Sequence, residues 1–230
     1  MAWHVEADLR ERGLAHIRGP LDAAAYRDLA RSLGDIVGAE LIALRPGAHA
    51  YVAKPGPVPL HTDHPEVDVI GWWCERQDEA DGASLLFDAR PVLDALPEED
   101  RVLLRQVELW CPPLRGGPPT LRFPVLRATP DGDALFCSPW LKSANAIPAH
   151  EAALGAFREK LSVAARRSTN SVRLEAGSAL FVDNTRVLHG RAAIFERSQR
   201  RLHRLWLARR RTDGRDGPAG PPSSRAQTRW

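Results

Sequence analysis

The chain has 230 residues, 43% of them hydrophobic, which fits one globular domain that buries a sizeable core. No apolar run approaches the roughly 18 residues of a membrane-spanning helix. The N-terminus also lacks the basic start and apolar core of a secretory signal, so we expect a cytoplasmic protein with no membrane partner. The three cysteines are widely spaced, which disfavours a disulfide framework or a zinc ribbon and predicts buried, reduced thiols.

The net charge of +3 originates in the C-terminal segment. Residues 209–230 contain six arginines and two aspartates, a net charge of +4, which leaves −1 on residues 1–208. Because 209–230 is rich in Gly, Pro and Ser and poor in apolar residues, we expect a disordered basic tail after one domain of residues 1–208. The near-neutral domain argues against a nucleic-acid partner, although a basic tail can contact polyanions. The oligomeric state does not follow from the sequence.

In chain order, the sequence predicts three helices and about eight strands. Residues 20–35 and 149–167 place apolar side chains at helical spacing, and 91–105 has prolines suited to the first turns of helices. Short runs rich in Val, Ile, Leu, Trp and Phe, bounded by Gly, Pro or Asp, predict strands. These runs are 39–44, 67–75, 83–89, 107–111, 123–128, 133–138, 178–184 and 201–208. The order predicts a mainly β fold with flanking helices, namely a barrel or a double-sheet jelly roll.

The stretch PLHTDHPEV, residues 59–67, contains His61 and Asp63. Residues i and i+2 of an extended chain point the same way, so this spacing suits two ligands of one metal. The motif alone carries little weight, because 8 histidines and 29 acidic residues placed at random would give about one His-x-Asp/Glu, and the chain has three. A polar loop without metal is therefore the alternative, and residues elsewhere must decide.

A second stretch, 177–207, supplies further candidates. His189 follows a predicted strand, and Arg200 and Arg204 lie 11 and 15 residues beyond it. Side chains alternate between the faces of a strand, so these two arginines share one face with a leucine and a tryptophan. Inside a barrel they would need an anion, and the planar guanidinium suits a carboxylate. A solvent-facing or salt-bridged strand is the alternative.

Together these residues have a recognisable pattern. Two histidines and a carboxylate on one face of iron(II) leave three positions open, as in non-haem iron oxygenases. Residues 10–208 resemble the iron(II)/2-oxoglutarate-dependent dioxygenases of the taurine dioxygenase and clavaminate synthase type. Two segments carry this resemblance, LHTDHPEVDVIGWWCERQDEADGASLLFDA and DNTRVLHGRAAIFERSQRRLHRLWL. The first segment resembles that family's proximal metal segment and its Gly-x-Thr/Ser element, with Ser84 where Thr is usual. The second resembles the segment with the distal histidine and the co-substrate arginines.

The resemblance implies a double-stranded β-helix, which is a distorted, cupin-like jelly roll. It implies that Arg204 and Ser84 bind the distal carboxylate of 2-oxoglutarate, with Arg200 near the C1 carboxylate. It also implies an iron(II) ion whose ligands are His61, Asp63 and His189.

The implied reaction consumes dioxygen and 2-oxoglutarate, releases succinate and carbon dioxide, and hydroxylates an unactivated C–H bond. Asp63 favours hydroxylation over halogenation, because related halogenases have Gly or Ala in place of the carboxylate and so leave room for halide. Desaturation or ring closure in natural-product biosynthesis is an alternative outcome of the same chemistry. A non-catalytic jelly-roll binding protein is the alternative to an enzyme.

The length of the chain bears on the substrate. The 127 residues between His61 and His189 are few for this family and leave little room for a long lid. We therefore expect a small polar metabolite, and the clavaminate synthase-like branch favours a free amino acid or a related carboxylate. Arg191 is expected to contact co-substrate or substrate, or to form a salt bridge at the barrel rim. The candidate substrate contacts are Arg122, Arg127, Trp140, Lys142 and Asn145.

Overall fold

A computed structural model describes residues 4–45, 47–48, 50–78, 82–111, 113–114 and 121–210. Most of the predicted basic tail, 211–230, lies outside the described residues, so its disorder stays a prediction. The first two residues of that segment, Arg209 and Arg210, form ion pairs with Asp183 and Asp35 of the domain.

The described residues form five α-helices and thirteen β-strands. The helices are α1 (Val5–Arg12), α2 (Ala23–Leu33), α3 (Arg90–Asp94), α4 (Glu98–Gln106) and α5 (Pro148–Ser168). The strands are β1 (Leu14–Ile17), β2 (Asp35–Ile42), β3 (Val58–His61), β4 (Val69–Arg76), β5 (Ser84–Asp88), β6 (Glu108–Cys111), β7 (Leu121–Pro124), β8 (Leu126–Thr129), β9 (Gly132–Leu135), β10 (Asn170–Val172), β11 (Ala179–Asp183), β12 (Val187–Arg191) and β13 (Arg201–Ala208). A turn of 3-10 helix, Tyr51–Ala53, precedes β3.

Two antiparallel sheets form the centre of the fold. The larger has the strand order β1-β11-β4-β13-β2 and the smaller the order β10-β5-β12-β3. One apolar cluster contains Ile70 and Leu180 of the larger sheet together with Leu86 and Val187 of the smaller, so the sheets pack face to face. The hairpins β6–β7 and β8–β9 lie outside these two sheets. The mainly β jelly-roll fold with flanking helices that the sequence predicts is thus confirmed.

Helices cover the outer faces of both sheets. On the larger sheet, Tyr26 of α2 packs against Phe181 of β11, with ring centroids 5.7 Å apart. On the smaller sheet, Phe157 of α5 joins a cluster with Phe87 and Leu188. The larger sheet is thus covered on both faces, by the smaller sheet on one side and by helices on the other. For this reason all five residues of the inner strand β11 are buried.

Some element boundaries differ from the sequence prediction. The predicted helix 91–105 is two helices, α3 and α4, because Pro97 has no amide hydrogen and restricts the residue before it. The predicted strand 123–128 is divided between β7 and β8, which pair with different strands. Five short elements are not predicted from the sequence, because runs of three to eight residues show little periodicity. They are α1, β1, β3, β10 and β12.

All three cysteines are buried and free, as their spacing predicts. Burial is the main cause that raises the pKa of the Cys74 thiol to about 11 and that of Cys111 to about 12. The thiols are therefore unreactive in the folded protein. Within the described part of the chain, none of the helices has the length and apolar character needed to cross a bilayer.

Candidate metal centre and co-substrate pocket

The two predicted histidine ligands lie on neighbouring antiparallel strands. His61 ends β3, His189 lies in β12, and the two are paired directly across the ladder with ring centroids 4.3 Å apart. Asp63 follows two residues after His61, and its Oδ1 lies 3.4 Å from Nε2 of His61 and 3.6 Å from Nε2 of His189. One donor atom from each residue lies within 4.8 Å of the others, so the three can ligate one ion.

Asn184 holds the loop that carries Asp63. Its side-chain oxygen accepts a hydrogen bond of 2.7 Å from the Asp63 amide, and its side-chain nitrogen donates to the carbonyls of Val67 (2.8 Å) and His64 (3.2 Å). Thr62 is fixed as well, because its amide donates to the carbonyl of Cys137 at 2.8 Å. Sequence reasoning gives Asn184 no role. The signal in the sequence that could have indicated such a role is the position of Asn184, a polar residue directly after the fully buried strand β11.

The carboxylate of Asp63 has a defined orientation. Its Oδ2 accepts hydrogen bonds from Nη1 of Arg204 at 3.0 Å and from the indole nitrogen of Trp206 at 2.6 Å, which leaves Oδ1 directed at the histidines. Burial acts to raise the pKa of Asp63, but the charge of Arg204 and the histidine contacts hold it well below its usual range. The carboxylate is therefore ionised at neutral pH, as a metal ligand must be.

The histidines are also in the form that binds a metal. Nδ1 of His61 lies 2.8 Å from the carbonyl oxygen of Pro59, so this nitrogen carries the proton and Nε2 is free to ligate. Burial, and then the charge of His61, lowers the pKa of His189 to about 4, so its ring is neutral at pH 7. Neither ring nitrogen of His189 has a hydrogen-bond partner among the described residues. Burying such a group is costly, and a metal ion would satisfy Nε2.

The donor set fits iron(II). Two neutral imidazoles and one carboxylate form the facial ligand set of non-haem iron oxygenases and leave positions open for other ligands. When bound, the metal would supply the activation of dioxygen. The protein supplies three oriented ligands on a buried surface, since His61 and His189 are each only 5% exposed.

A pocket of about 460 Å³, partly open to solvent, adjoins the two histidines. The predicted co-substrate residues Ser84, Arg200 and Arg204 all line it. The remaining wall is largely apolar and includes Ile42, Val58, Trp72, Leu86 and Leu202. This apolar wall lowers the polarity of the space beside the candidate metal ligands, which strengthens an electrostatic contact made there.

The two pocket arginines differ in their partners. Arg204 forms ion pairs with Asp63 and with Glu40, which lies opposite it on β2. Arg200 is 5% exposed, and among the described residues no carboxylate lies within ion-pair distance of it. Burial, and then the charge of Arg191, lowers the pKa of Arg200 to about 10, so it remains charged at pH 7. Among the described residues, Arg200 is thus a buried cation without an ion-pair partner, and the charge of Asp78 acts on it only from beyond ion-pair distance.

Arg191 lies two residues after His189, and it forms no salt bridge with any described residue, so the rim salt bridge that was one of its two expected roles is not seen there. Its guanidinium donates hydrogen bonds to the backbone carbonyls of Val52 (3.1 Å), Lys54 (2.5 Å) and Gly56 (2.5 Å). It therefore connects the metal-binding strand to the loop 51–57, which lies before β3.

Comparison with protein families shows the family of this chain. Residues 4–206 match the model of the family described as taurine catabolism dioxygenase TauD, TfdA family. The chain belongs to this TauD/TfdA family. The protein is therefore an iron(II)- and 2-oxoglutarate-dependent dioxygenase, and the resemblance in its metal-binding segments is confirmed. No curated protein matches the chain in sequence.

Solved structures of oxygenases share the fold of this TauD/TfdA dioxygenase. An asparagine oxygenase in complex with Fe(II), 2S,3S-3-hydroxyasparagine and succinate superposes with a TM-score of 0.70 at 19% identity, over 88% of this chain and 77% of that chain. The non-haem iron oxygenase OrfP, in complex with Fe and α-ketoglutaric acid, superposes with a TM-score of 0.68 at 16% identity, over 88% and 78% of the two chains. PvcB of Pseudomonas aeruginosa gives a TM-score of 0.63 at 19% identity, over 88% and 78%.

The predicted substrate contacts of this dioxygenase lie in different places. Trp140 packs against His61, with ring centroids 4.7 Å apart, and stacks on Tyr51 at 5.3 Å. Trp140 is 41% exposed, so it is not the core residue that its type suggests. Lys142 and Asn145 lie in the same segment, between β9 and α5. The remaining two are exposed and lie elsewhere: Arg122 stacks on Trp110, and Arg127 lines a second cavity, which shares no residue with the first.

Proposed function

We propose that this dioxygenase hydroxylates an unactivated C–H bond of a small polar metabolite, a free amino acid or an amino-acid-derived carboxylate. The reaction is coupled to oxidative decarboxylation of 2-oxoglutarate to succinate and carbon dioxide. The observation that carries the proposal is the triad of His61, Asp63 and His189 beside a pocket whose Arg200 has no ion-pair partner among the described residues. The intact carboxylate of Asp63 occupies the place a halide would need, which favours hydroxylation over halogenation.

The amino-acid class of substrate has support from two sources. The short connection between the two histidines leaves little room for a large substrate. The structurally similar asparagine oxygenase is described with 3-hydroxyasparagine, and OrfP with (3S)-hydroxy-L-Arg. In both structures a hydroxylated amino acid is bound to an oxygenase of the same fold. We propose the same class of reaction for this chain.

We assign the distal carboxylate of 2-oxoglutarate to Arg200, assisted by the hydroxyl of Ser84. The resemblance implies Arg204 for this role, but Arg204 is already neutralised by Asp63 and Glu40. Arg200 is buried and has no such partner among the described residues, so a carboxylate would offset the cost of its burial. Arg204 then orients Asp63, and Arg200 and Ser84 bind the co-substrate.

Trp140 and Tyr51 are assigned to the substrate side of the metal centre. They are exposed by 41% and 53%, and Trp140 lies against the ring of His61. A substrate bound over the open face of the metal would contact Trp140. Lys142 and Asn145 are near Trp140 in sequence and remain candidates for polar contacts with the substrate. Arg122 and Arg127 remain predicted substrate contacts that lie in other parts of the structure.

A substrate screen tests the proposed function. Purified protein loaded with Fe(II) is incubated with 2-oxoglutarate, oxygen and single members of an amino-acid panel, and succinate is measured together with product mass. We expect succinate above background for at least one substrate, with a product heavier by one oxygen atom. A product lighter by two hydrogen atoms would instead indicate desaturation or ring closure. The absence of stimulated succinate across the panel contradicts the proposed substrate class.

Two variants connect the activity to the residues. His61→Ala should abolish iron binding and turnover. Arg200→Met should raise the KM for 2-oxoglutarate about 100-fold, the effect of losing one buried charge pair, while leaving iron affinity unchanged. An unchanged KM in Arg200→Met contradicts the assignment of the distal carboxylate to Arg200.

A further inference from the structure

Arg200 lies directly before β13, at the end of an irregular segment that contains a turn. Its backbone amide donates a hydrogen bond of 3.2 Å to the hydroxyl of Ser198. Its side-chain stem lies against Gly82, where an added Cβ would be 3.1 Å from Cδ of Arg200 and 2.7 Å from Cγ2 of Ile194. The direction of this buried cation therefore depends on the turn that precedes it.

Asp78, which is more than 100 residues away in sequence, holds that turn. One carboxylate oxygen accepts a hydrogen bond of 2.9 Å from the amide of Gln199, and the other accepts from the hydroxyl of Ser198. The amide of Ser198 in turn donates to the carbonyl of Phe195 at 3.0 Å. Asp78 lies just beyond the end of β4, which is the neighbour of β13 in the larger sheet.

These contacts form a relay from Asp78 to Arg200. The hydroxyl of Ser198 donates to Asp78 and accepts from the amide of Arg200, so it has a fixed orientation only while the carboxylate is present. Hydrogen bonds to a charged acceptor are stronger than neutral ones, which suits a residue that has to hold a turn. Within the pocket wall, Arg200 is therefore oriented by Gly82 along its stem and by Ser198 at its backbone.

We propose that Asp78 is a positioning residue for the co-substrate. It acts through Ser198 to direct the guanidinium of Arg200 into the pocket and so sets the affinity for the distal carboxylate of 2-oxoglutarate. This inference rests on the proposed role of Arg200. Asp78 itself does not line the pocket.

Anaerobic titration of 2-oxoglutarate into the Fe(II)-loaded protein tests the inference, with the visible charge-transfer band as readout. In Asp78→Ala and Ser198→Ala the Kd for 2-oxoglutarate should rise about tenfold, the effect of one lost charge-assisted hydrogen bond. Ser198→Thr keeps the hydroxyl and should bind nearly as the wild type does. The Kd for Fe(II), measured by calorimetry, should stay within twofold in all three variants, because the metal ligands lie on and beside β3 and β12. Asp131→Ala, which removes an exposed aspartate in the β8–β9 turn, is the matched control.

The outcomes separate this inference from the proposed function. A Kd for 2-oxoglutarate within twofold of wild type in Asp78→Ala overturns the inference, as does an equal loss in Ser198→Ala and Ser198→Thr. A parallel loss of Fe(II) affinity would show a general structural role and also overturns it. If wild-type protein itself gives no band with 2-oxoglutarate, the proposed function has failed. If Asp78→Ala is too unstable to purify, the comparison of the Kd for 2-oxoglutarate between Ser198→Ala and Ser198→Thr tests the inference.

Discussion

His61 and His189 are paired directly across the antiparallel ladder of β3 and β12. On its other side, β12 pairs with β5, where His189 lies opposite Leu86. Both histidine ligands therefore stand on paired backbone, and His189 lies on an inner strand of the smaller sheet. Asp63 is the only one of the three ligands in a loop, so its position depends on side-chain contacts from elsewhere in the fold.

Removing the contact that fixes this loop should weaken iron binding. In Asn184→Ala the Asp63 amide and the carbonyls of His64 and Val67 lose their partner. We expect the Kd for Fe(II) to rise about 10- to 100-fold, the usual effect of losing a residue that orients a ligand. Anaerobic calorimetry measures it, with Asn170→Ala, an exposed position in β10, as control. Equal affinities in the two variants would contradict the role of Asn184.

The indole of Trp206 should contribute to the orientation of Asp63. Trp206→Phe removes the hydrogen bond of 2.6 Å to Oδ2 but keeps an aromatic ring. With only Arg204 left as a donor, Asp63 gains freedom to rotate, and we expect the Kd for Fe(II) to rise about tenfold. Trp73→Phe is a matched control, because it removes an indole hydrogen bond to the carbonyl of Leu21 instead. The prediction is wrong if both variants bind iron equally well.

Arg191 should keep the loop before β3 in place. Arg191→Met leaves three backbone carbonyls, those of Val52, Lys54 and Gly56, without their donor. Amide hydrogen exchange in peptides covering 51–57 should become faster, because local opening costs less free energy. Because Tyr51 lies in this loop, the KM for the substrate should also rise. Arg167→Met, at an exposed arginine of α5, is the control, and unchanged exchange in Arg191→Met would refute the prediction.

Asp133 should stabilise the fold in a pH-dependent way. Its side chain is 1% exposed and forms ion pairs with Arg101 (2.5 Å) and Arg105 (2.9 Å) of α4. Burial acts to raise its pKa, but the hydrogen bonds from both arginines lower it below the usual 3.8. The stabilisation is therefore fully present above about pH 3.8 and is lost as the pH falls through the lower pKa of the folded state.

Urea unfolding of Asp133→Asn checks this expectation. At pH 7 the free energy of unfolding should fall by about 2 kcal/mol, because two partly exposed arginines lose the charge of the buried carboxylate that they contact. The difference from wild type should shrink below pH 3.8. Asp100→Asn, at an exposed carboxylate paired with Lys160, should cost less than about 1 kcal/mol. A difference for Asp133→Asn that stays constant down to low pH would argue against the ion pairs as its cause.

The sequence by itself predicted the candidate metal ligands, which the structure brings together, and much of the fold. The i, i+2 spacing of His61 and Asp63, the distal His189 and the alternation along 201–208 depend on local backbone geometry, which the order of residues encodes directly. The strand over 201–208 and the helices near 20–35 and 149–167 appear in the structure for the same reason.

Only the tertiary structure decided how these residues are partnered. The sequence pattern does not distinguish Arg200 from Arg204, because it places both on the same strand face. In the structure Arg204 forms ion pairs with Asp63 and Glu40, which are 141 and 164 residues away, whereas Arg200 forms none with a described carboxylate. Asn184 and Asp78 likewise act on residues more than 100 positions distant. Such contacts follow from the order and register of strands in a sheet, which is set by the packing of the whole domain and not by any local pattern.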